Sequence, residues 1–196
     1  AEVRQIIVEA GRATGVVLAS GEEVRSRLVV SNADPRRTLL GLVDPIHLAP
    51  DFIQSIQHIR MRGALAKVNY AVSSLPKFSG LGDRDHAGRM AAMSGCVRLC
   101  REMNAMERAF DAAKYGRFAE EPWIELAIPS IADPSLAPAG CHVVSAYVQF
   151  APFVLRETSW DAERERLGDV TTRMIATFAP GFEHSIVARQ VITPLD

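Results

Sequence analysis

Few side chains in this sequence have the type and spacing that chemistry requires. Lysine occurs only at Lys67, Lys77 and Lys114, with arginine supplying the other basic residues. Lys67 sits in the apolar run 63–73 (GALAKVNYAVS), where strand alternation puts Leu65 and Asn69 on its face. That face is mixed, so Lys67 reads either as a functional cation or as a strand lysine reaching solvent. Cys96 and Cys100 stand four apart, and Cys141 is the third cysteine. A zinc site would need further thiol or imidazole ligands at matching spacing, and none is present. The reading is three free thiols and no metal. His142 opens an apolar run after Gly140. A histidine acts as a base only with suitable partners, so a satisfied structural role is favoured over a catalytic one. No G-x-G-x-x-G, P-loop, nucleophile elbow, H-E-x-x-H or EF-hand pattern occurs, and no local arrangement marks a triad.

The bulk properties set the frame for these residues. A chain of 196 residues can bury a core without disulfide or metal staples. Its net charge of −1 gives no field favouring nucleic acid or an anionic membrane. Few cysteines in odd number fit a reducing compartment, and a cytoplasmic location is expected. Residues 134–155 carry no Asp, Glu, Lys or Arg, but Pro134, Pro138, Gly140 and Pro152 interrupt them. The apolar core Val143 to Phe150 has the length of a buried strand, so no transmembrane segment is expected.

The elements follow from periodicity and breakers. Val3 to Glu9, a stretch resuming at Gly15 to Ala19, and Val24 to Val30 predict a three-stranded meander. Asp34 before Pro35 predicts a helix start running about two turns to Leu42. A second helix is expected from Asp51 through Ile59, then a strand from Gly63 to Ser73. Residues 79–90, rich in glycine and charge, read as an exposed loop. Met103, Met106, Phe110 and Ala113 predict one inward helix face, with methionine as core filler. Pro122 to Ile128 and His142 to Phe150 predict two strands. Thr158 with Asp161 resembles a capping box, and the helix after it carries Leu167, Val170, Met174, Ile175 and Phe178 inward. Ile186 to Ile192 predicts a last strand. The expected class is α+β: a mixed or antiparallel sheet with helices on one face, preceded by the meander.

An ordered series of short matches adds to this. Val3-x-x-Ile6, the run Gly11 to Val16, Gly21-Glu22-Glu23 and the run Val29 to Pro35 come first. The run Lys67 to Val72, Leu75-Pro76-x-Phe78, Ile128-Pro129-Ser130, Asp133-Pro134-x-Leu136-Ala137-Pro138-x-Gly140-x-His142, Gln149-Phe150-Ala151-Pro152, Ala179-Pro180-Gly181-Phe182 and Thr193-Pro194 come after them. Together they resemble the phytoene desaturase and amine oxidase superfamily of flavoproteins, in its phytoene-dehydrogenase-like branch, over essentially the whole chain.

The resemblance implies an internal piece of an FAD-dependent oxidoreductase, a dehydrogenase, desaturase or amine oxidase. Residues 1–33 would belong to its FAD-binding domain and 34–196 to its substrate-binding domain. The glycine loop that grips the nucleotide and the glycine-rich return to the flavin are not in this sequence. FAD is therefore expected in the full-length protein and not on this piece alone, which is expected to be inactive. Lys67 would take the place of the lysine that holds a water near flavin N5, a catalytic role. Val3 would touch FAD through its backbone, against plain sheet packing. Asn69, Tyr70, Gln149 and Phe150 would line a cavity for a small apolar substrate, against ordinary sheet core. The implied partners are that substrate and the rest of the FAD domain, with the oligomeric state left open. The rival reading is a non-catalytic binding module like the GDP-dissociation inhibitors of the same architecture.

Overall fold

Val3–Glu9 (β1) and Arg12–Leu18 (β2) pair antiparallel across the two-residue turn Ala10-Gly11. Both turn residues have positive φ, 48° and 74°, the backbone twist that tight hairpins favour. Glu23–Arg25 (β3) completes the meander on the far side of β2, but with three residues rather than the seven expected. Local bonding explains the early end: the Ser26 hydroxyl accepts from Leu28 N and donates to Leu28 O, taking backbone groups a ladder would need. Leu28 and Val30 are accordingly exposed. Asp34 caps the next segment as anticipated, accepting from Arg37 N at 2.9 Å. The turns over Arg37–Leu42 are wound as a π-helix, with Val43 N donating to Thr38 O. Pro50–Gln57 (α1) is shorter than the sequence suggested and buries Ile56.

A five-stranded sheet organises the larger, C-terminal part of the chain. Leu65–Val72 (β4), Cys96–Leu99 (β5), Ile124–Ala127 (β6), His142–Gln149 (β7) and Ile186–Ile192 (β8) assemble in the order β5-β6-β7-β4-β8, every pair antiparallel. Alternation divides each strand cleanly. Ala66, Val68, Tyr70 and Val72 of β4, Val144, Ala146 and Val148 of β7, and Ile124 and Leu126 of β6 enter one core. A single helical turn, Pro129–Ala132 (α4), links β6 towards β7 and buries Ser130. Trp160–Phe178 (α5) covers the core face of the sheet, burying Leu167, Val170, Met174 and Ile175. The helix starts on Ser159, whose hydroxyl accepts from Ala162 N; the cap is thus Ser159 and not Thr158.

Two local expectations are corrected. His86–Met93 (α2) is a helix inside and beyond the expected loop, nucleated by Asp85, which accepts from Gly88 N at 2.9 Å. In Met103–Lys114 (α3) the buried residues are Ala105 and Ala109, while Met103 is 82% exposed and is not core.

The computed structural model describes all 196 residues, which separate by compactness into Ala1–Met61 and Arg62–Asp196. No helix is long and apolar enough to cross a membrane.

Candidate functional site: the open face of the five-stranded sheet

The sheet face opposite α5 carries the residues left over by alternation, and their register sorts them into rows. Arg98, Glu125, Tyr147, Lys67 and Ile192 stand side by side across all five strands. Cys96, Ala127, Ser145, Asn69 and Gln190 form the next row. Val143, Ala71 and Ala188 form a third, wholly apolar one. Neighbouring residues in a row lie about 5 Å apart, so these side chains act on one another directly.

Glu125 is held from two sides. Arg98 Nε donates to its Oε1 at 2.8 Å, and Gln149 Nε2 donates to its Oε2 at 3.2 Å. Two strands away, Lys67 Nζ lies 5.0 Å from the centre of the Tyr147 ring, within range for a cation on an aromatic face. With Glu125 already engaged by Arg98, the Lys67 ammonium has no carboxylate partner. The second row is a chain of side-chain hydrogen bonds. Ser145 Oγ donates to Asn69 Oδ1 at 2.9 Å, and Asn69 Nδ2 donates to Gln190 Oε1 at 3.3 Å. Such a run fixes its members' rotamers and presents them in a set orientation.

Three of the sequence candidates, Lys67, Asn69 and Gln149, therefore meet on one partly buried face. Tyr70 points the other way. It is 1% exposed, its ring meets Phe182 edge-on at 5.2 Å, and its hydroxyl lies 3.0 Å from Thr172 Oγ1. Burial in the core pushes the Tyr70 phenol up to about 12, the nearby Asp169 adding to this against the Thr172 hydrogen bond and Arg189. Phe150 follows β7 with φ of 62°, and its ring packs on Phe110 and Trp123 at 5.2 and 5.8 Å. Val3 opens β1 opposite Leu18 in the other compact unit. His142 Nδ1 lies 3.3 Å from Ser130 Oγ, which is buried and also accepts from Val143 N. That pair ties α4 to β7 and has no carboxylate behind it. No three His, Cys, Asp or Glu side chains converge as metal ligands.

Reasoning from the sequence missed Glu125, Ser145, Tyr147, Arg98 and Gln190. A usable signal existed in β7, where Ser145, Tyr147 and Gln149 alternate with Val144, Ala146 and Val148. A cleft of about 700 Å³, lined by Ala109, Phe118, Leu155 and Arg166, opens beside α3 and α5, away from this face. Of the three arginines on it, Arg166 pairs with Glu120 and Glu163, and Arg108 with Glu102.

No family model matches the chain. Over 193 residues, 95% of its length, it is 38% identical to pyridine nucleotide-disulfide oxidoreductase domain-containing protein 2 of Rattus norvegicus, covering 32% of that protein. It is 30% identical to the phytoene desaturase (neurosporene-forming) of Cereibacter sphaeroides, over 98% of this chain and 35% of the desaturase. It is 26% identical to the chloroplastic prolycopene isomerase 1 of an Oncidium hybrid cultivar, over 99% of this chain and 30% of the isomerase. The chain thus spans about a third of the length of the curated relatives it matches. This likeness runs from end to end of the chain and agrees with the motif series: the chain is similar to phytoene desaturase-like oxidoreductases.

Proposed function

We propose that this chain supplies the substrate-facing part of an FAD-dependent oxidoreductase, and that the open face of its five-stranded sheet is the wall set against flavin and substrate. The observation that carries the reading is the convergence of Lys67, Asn69 and Gln149 on a face that alternation has made polar in an otherwise apolar sheet. Polar side chains in a protein interior are costly unless they bond to something. Here they are ordered by one another yet keep N–H groups to spare. The free donors of Lys67, Asn69, Gln149 and Gln190 outnumber those one ligand would take, so the residues fit an isoalloxazine edge and still leave donors for the substrate. Bound flavin would accept hydride from a C–H bond of the substrate.

This chain's own contribution is placement and charge. Lys67, the cation without a carboxylate partner, would steady negative charge as it develops nearby or hold a water there. Asn69 and Gln149 would line the same wall. Tyr70 would support it from behind, through the core, and Phe150 would shape its end at the Phe110 and Trp123 cluster. Residues 1–33, including the Val3 backbone, would complete the FAD-binding domain, with residues 34–196 forming the substrate-binding one.

The test uses the full-length protein that contains this chain. It should purify with a stoichiometric flavin spectrum. Lys67→Met should slow flavin reduction or reoxidation by at least about tenfold, about 1.4 kcal/mol of barrier, with flavin content unchanged. Unchanged rates in Lys67→Met would remove Lys67 from the mechanism, and absence of flavin would remove the reading altogether.

A further inference from the structure

The free hydrogen-bonding groups on the open face have a direction. The three N–H bonds of Lys67 are uncommitted to any carboxylate. Gln190 accepts from Asn69 through Oε1, which leaves both hydrogens of its amide free, and Asn69 keeps one of its own. The acceptors are largely spent. Glu125 receives Arg98 and Gln149, one on each oxygen, and Asn69 Oδ1 receives Ser145. The charges have a direction too: Arg98 and Glu125 cancel, leaving Lys67 as the net charge of the face. Beside these donors runs the apolar row Val143, Ala71 and Ala188. Along β4, Lys67 and Ala71 are four residues apart, about 13 Å at strand rise.

A face with surplus donors, one uncompensated cation and an adjoining apolar strip is complementary to one kind of small molecule. We propose that the compound handled here has an apolar body ending in a carboxylate, the carboxylate seated on Lys67 and the Asn69 and Gln190 amides, and the body along Val143, Ala71 and Ala188. A pure hydrocarbon would leave Lys67 and the amides desolvated and unbonded, which opposes its binding. This assignment rests on the proposed placement of substrate over this face, and deepens that reading by naming the chemical class.

The experiment is a titration of the 196-residue chain, isotope-labelled, with octanoate and separately with 1-octanol, both below micelle formation. The side-chain amide resonances of Asn69 and Gln190 report binding. Octanoate should shift them saturably, with apparent affinity at least about tenfold above that of octanol, the equivalent of one charge-assisted contact. Lys67→Met should abolish the preference and Lys67→Arg should keep it. Gln190→Ala, at an exposed position, should weaken octanoate severalfold and serves as a second variant should Lys67→Met not fold. Equal response to the two probes overturns the proposal. So does an octanoate preference that survives Lys67→Met, or a response to phytoene in detergent micelles with none to octanoate. The readout involves no flavin. Its failure therefore leaves the oxidoreductase reading standing, while a flavin-free full-length protein would defeat that reading without touching this result.

Discussion

The hydroxyl of Tyr70 on β4 donates to Thr172 Oγ1 on α5 across 3.0 Å, because the threonine hydroxyl is itself committed to Gly168 O at 2.8 Å. A phenol in the core is thereby satisfied by one hydrogen bond, and its charged form is excluded. Burial moves its pKa from 10 to about 12. The folded pKa lies above the unfolded one, so between pH 10 and 12 the unfolded chain has lost a proton that the folded chain keeps. Stability is whole below pH 10 and falls as pH rises to 12. The linked loss is on the order of 2–3 kcal/mol. Tyr70→Phe should cost about 1 kcal/mol at neutral pH and flatten this alkaline slope, read by urea denaturation at stepped pH.

Gly15 in β2 pairs with Arg25 of β3, and a methyl group there would meet the backbone oxygen of Val24 at 2.4 Å. A main-chain atom in a ladder cannot swing aside as a long side chain can. Gly15→Ala should therefore separate β3 from β2, seen as fast amide exchange at Val24, whose N–H then loses its ladder partner. Gly63→Ala, with nothing within 4 Å of the new methyl, should leave exchange unchanged.

Asp196 accepts from both Arg164 guanidinium nitrogens at 2.8 and 3.0 Å and from Thr193 N and Oγ1 at 2.6 and 2.9 Å. The guanidinium first, and then the Thr193 groups, hold its carboxyl well below the usual carboxylate range. The folded pKa is depressed, so the contribution is present above about pH 4 and lost as pH falls below it. The pair is partly exposed, so its worth at neutral pH is about 1 kcal/mol at most. Asp196→Asn should lower the melting temperature slightly at neutral pH, and the gap from the parent chain should narrow steadily as pH falls below about 4.

Elements with strong alternation or an acidic cap were legible in the sequence. The apolar half of β4 and β7, the α5 face through Leu167, Val170 and Met174, and the Asp34 cap all stand where pattern placed them. The α2 helix was not, because glycine and charge in its flanks masked the Asp85 cap. The candidate site was half legible. Alternation puts Lys67 with Asn69 from one strand alone, but their partners Tyr147 and Ser145 come from a strand more than 70 residues away, through register. Register is set by tertiary packing, and no local pattern states it.

Asn69 and Ser145 therefore offer the last test, which separates a structural role from a binding one. Ser145 is buried, and Asn69 Oδ1 is its bonding partner at 2.9 Å. Asn69→Ala leaves that hydroxyl unpaired at a cost of about 1–2 kcal/mol. Ser145→Ala leaves an amide oxygen that solvent can still reach, so it should cost less. The double variant should cost less than the sum by about 1 kcal/mol, the signature of a direct bond. If the two effects simply add in denaturation of the isolated chain, the pair is not ordered by its own contact. The wall it was taken to form would then have to be ordered by whatever binds it.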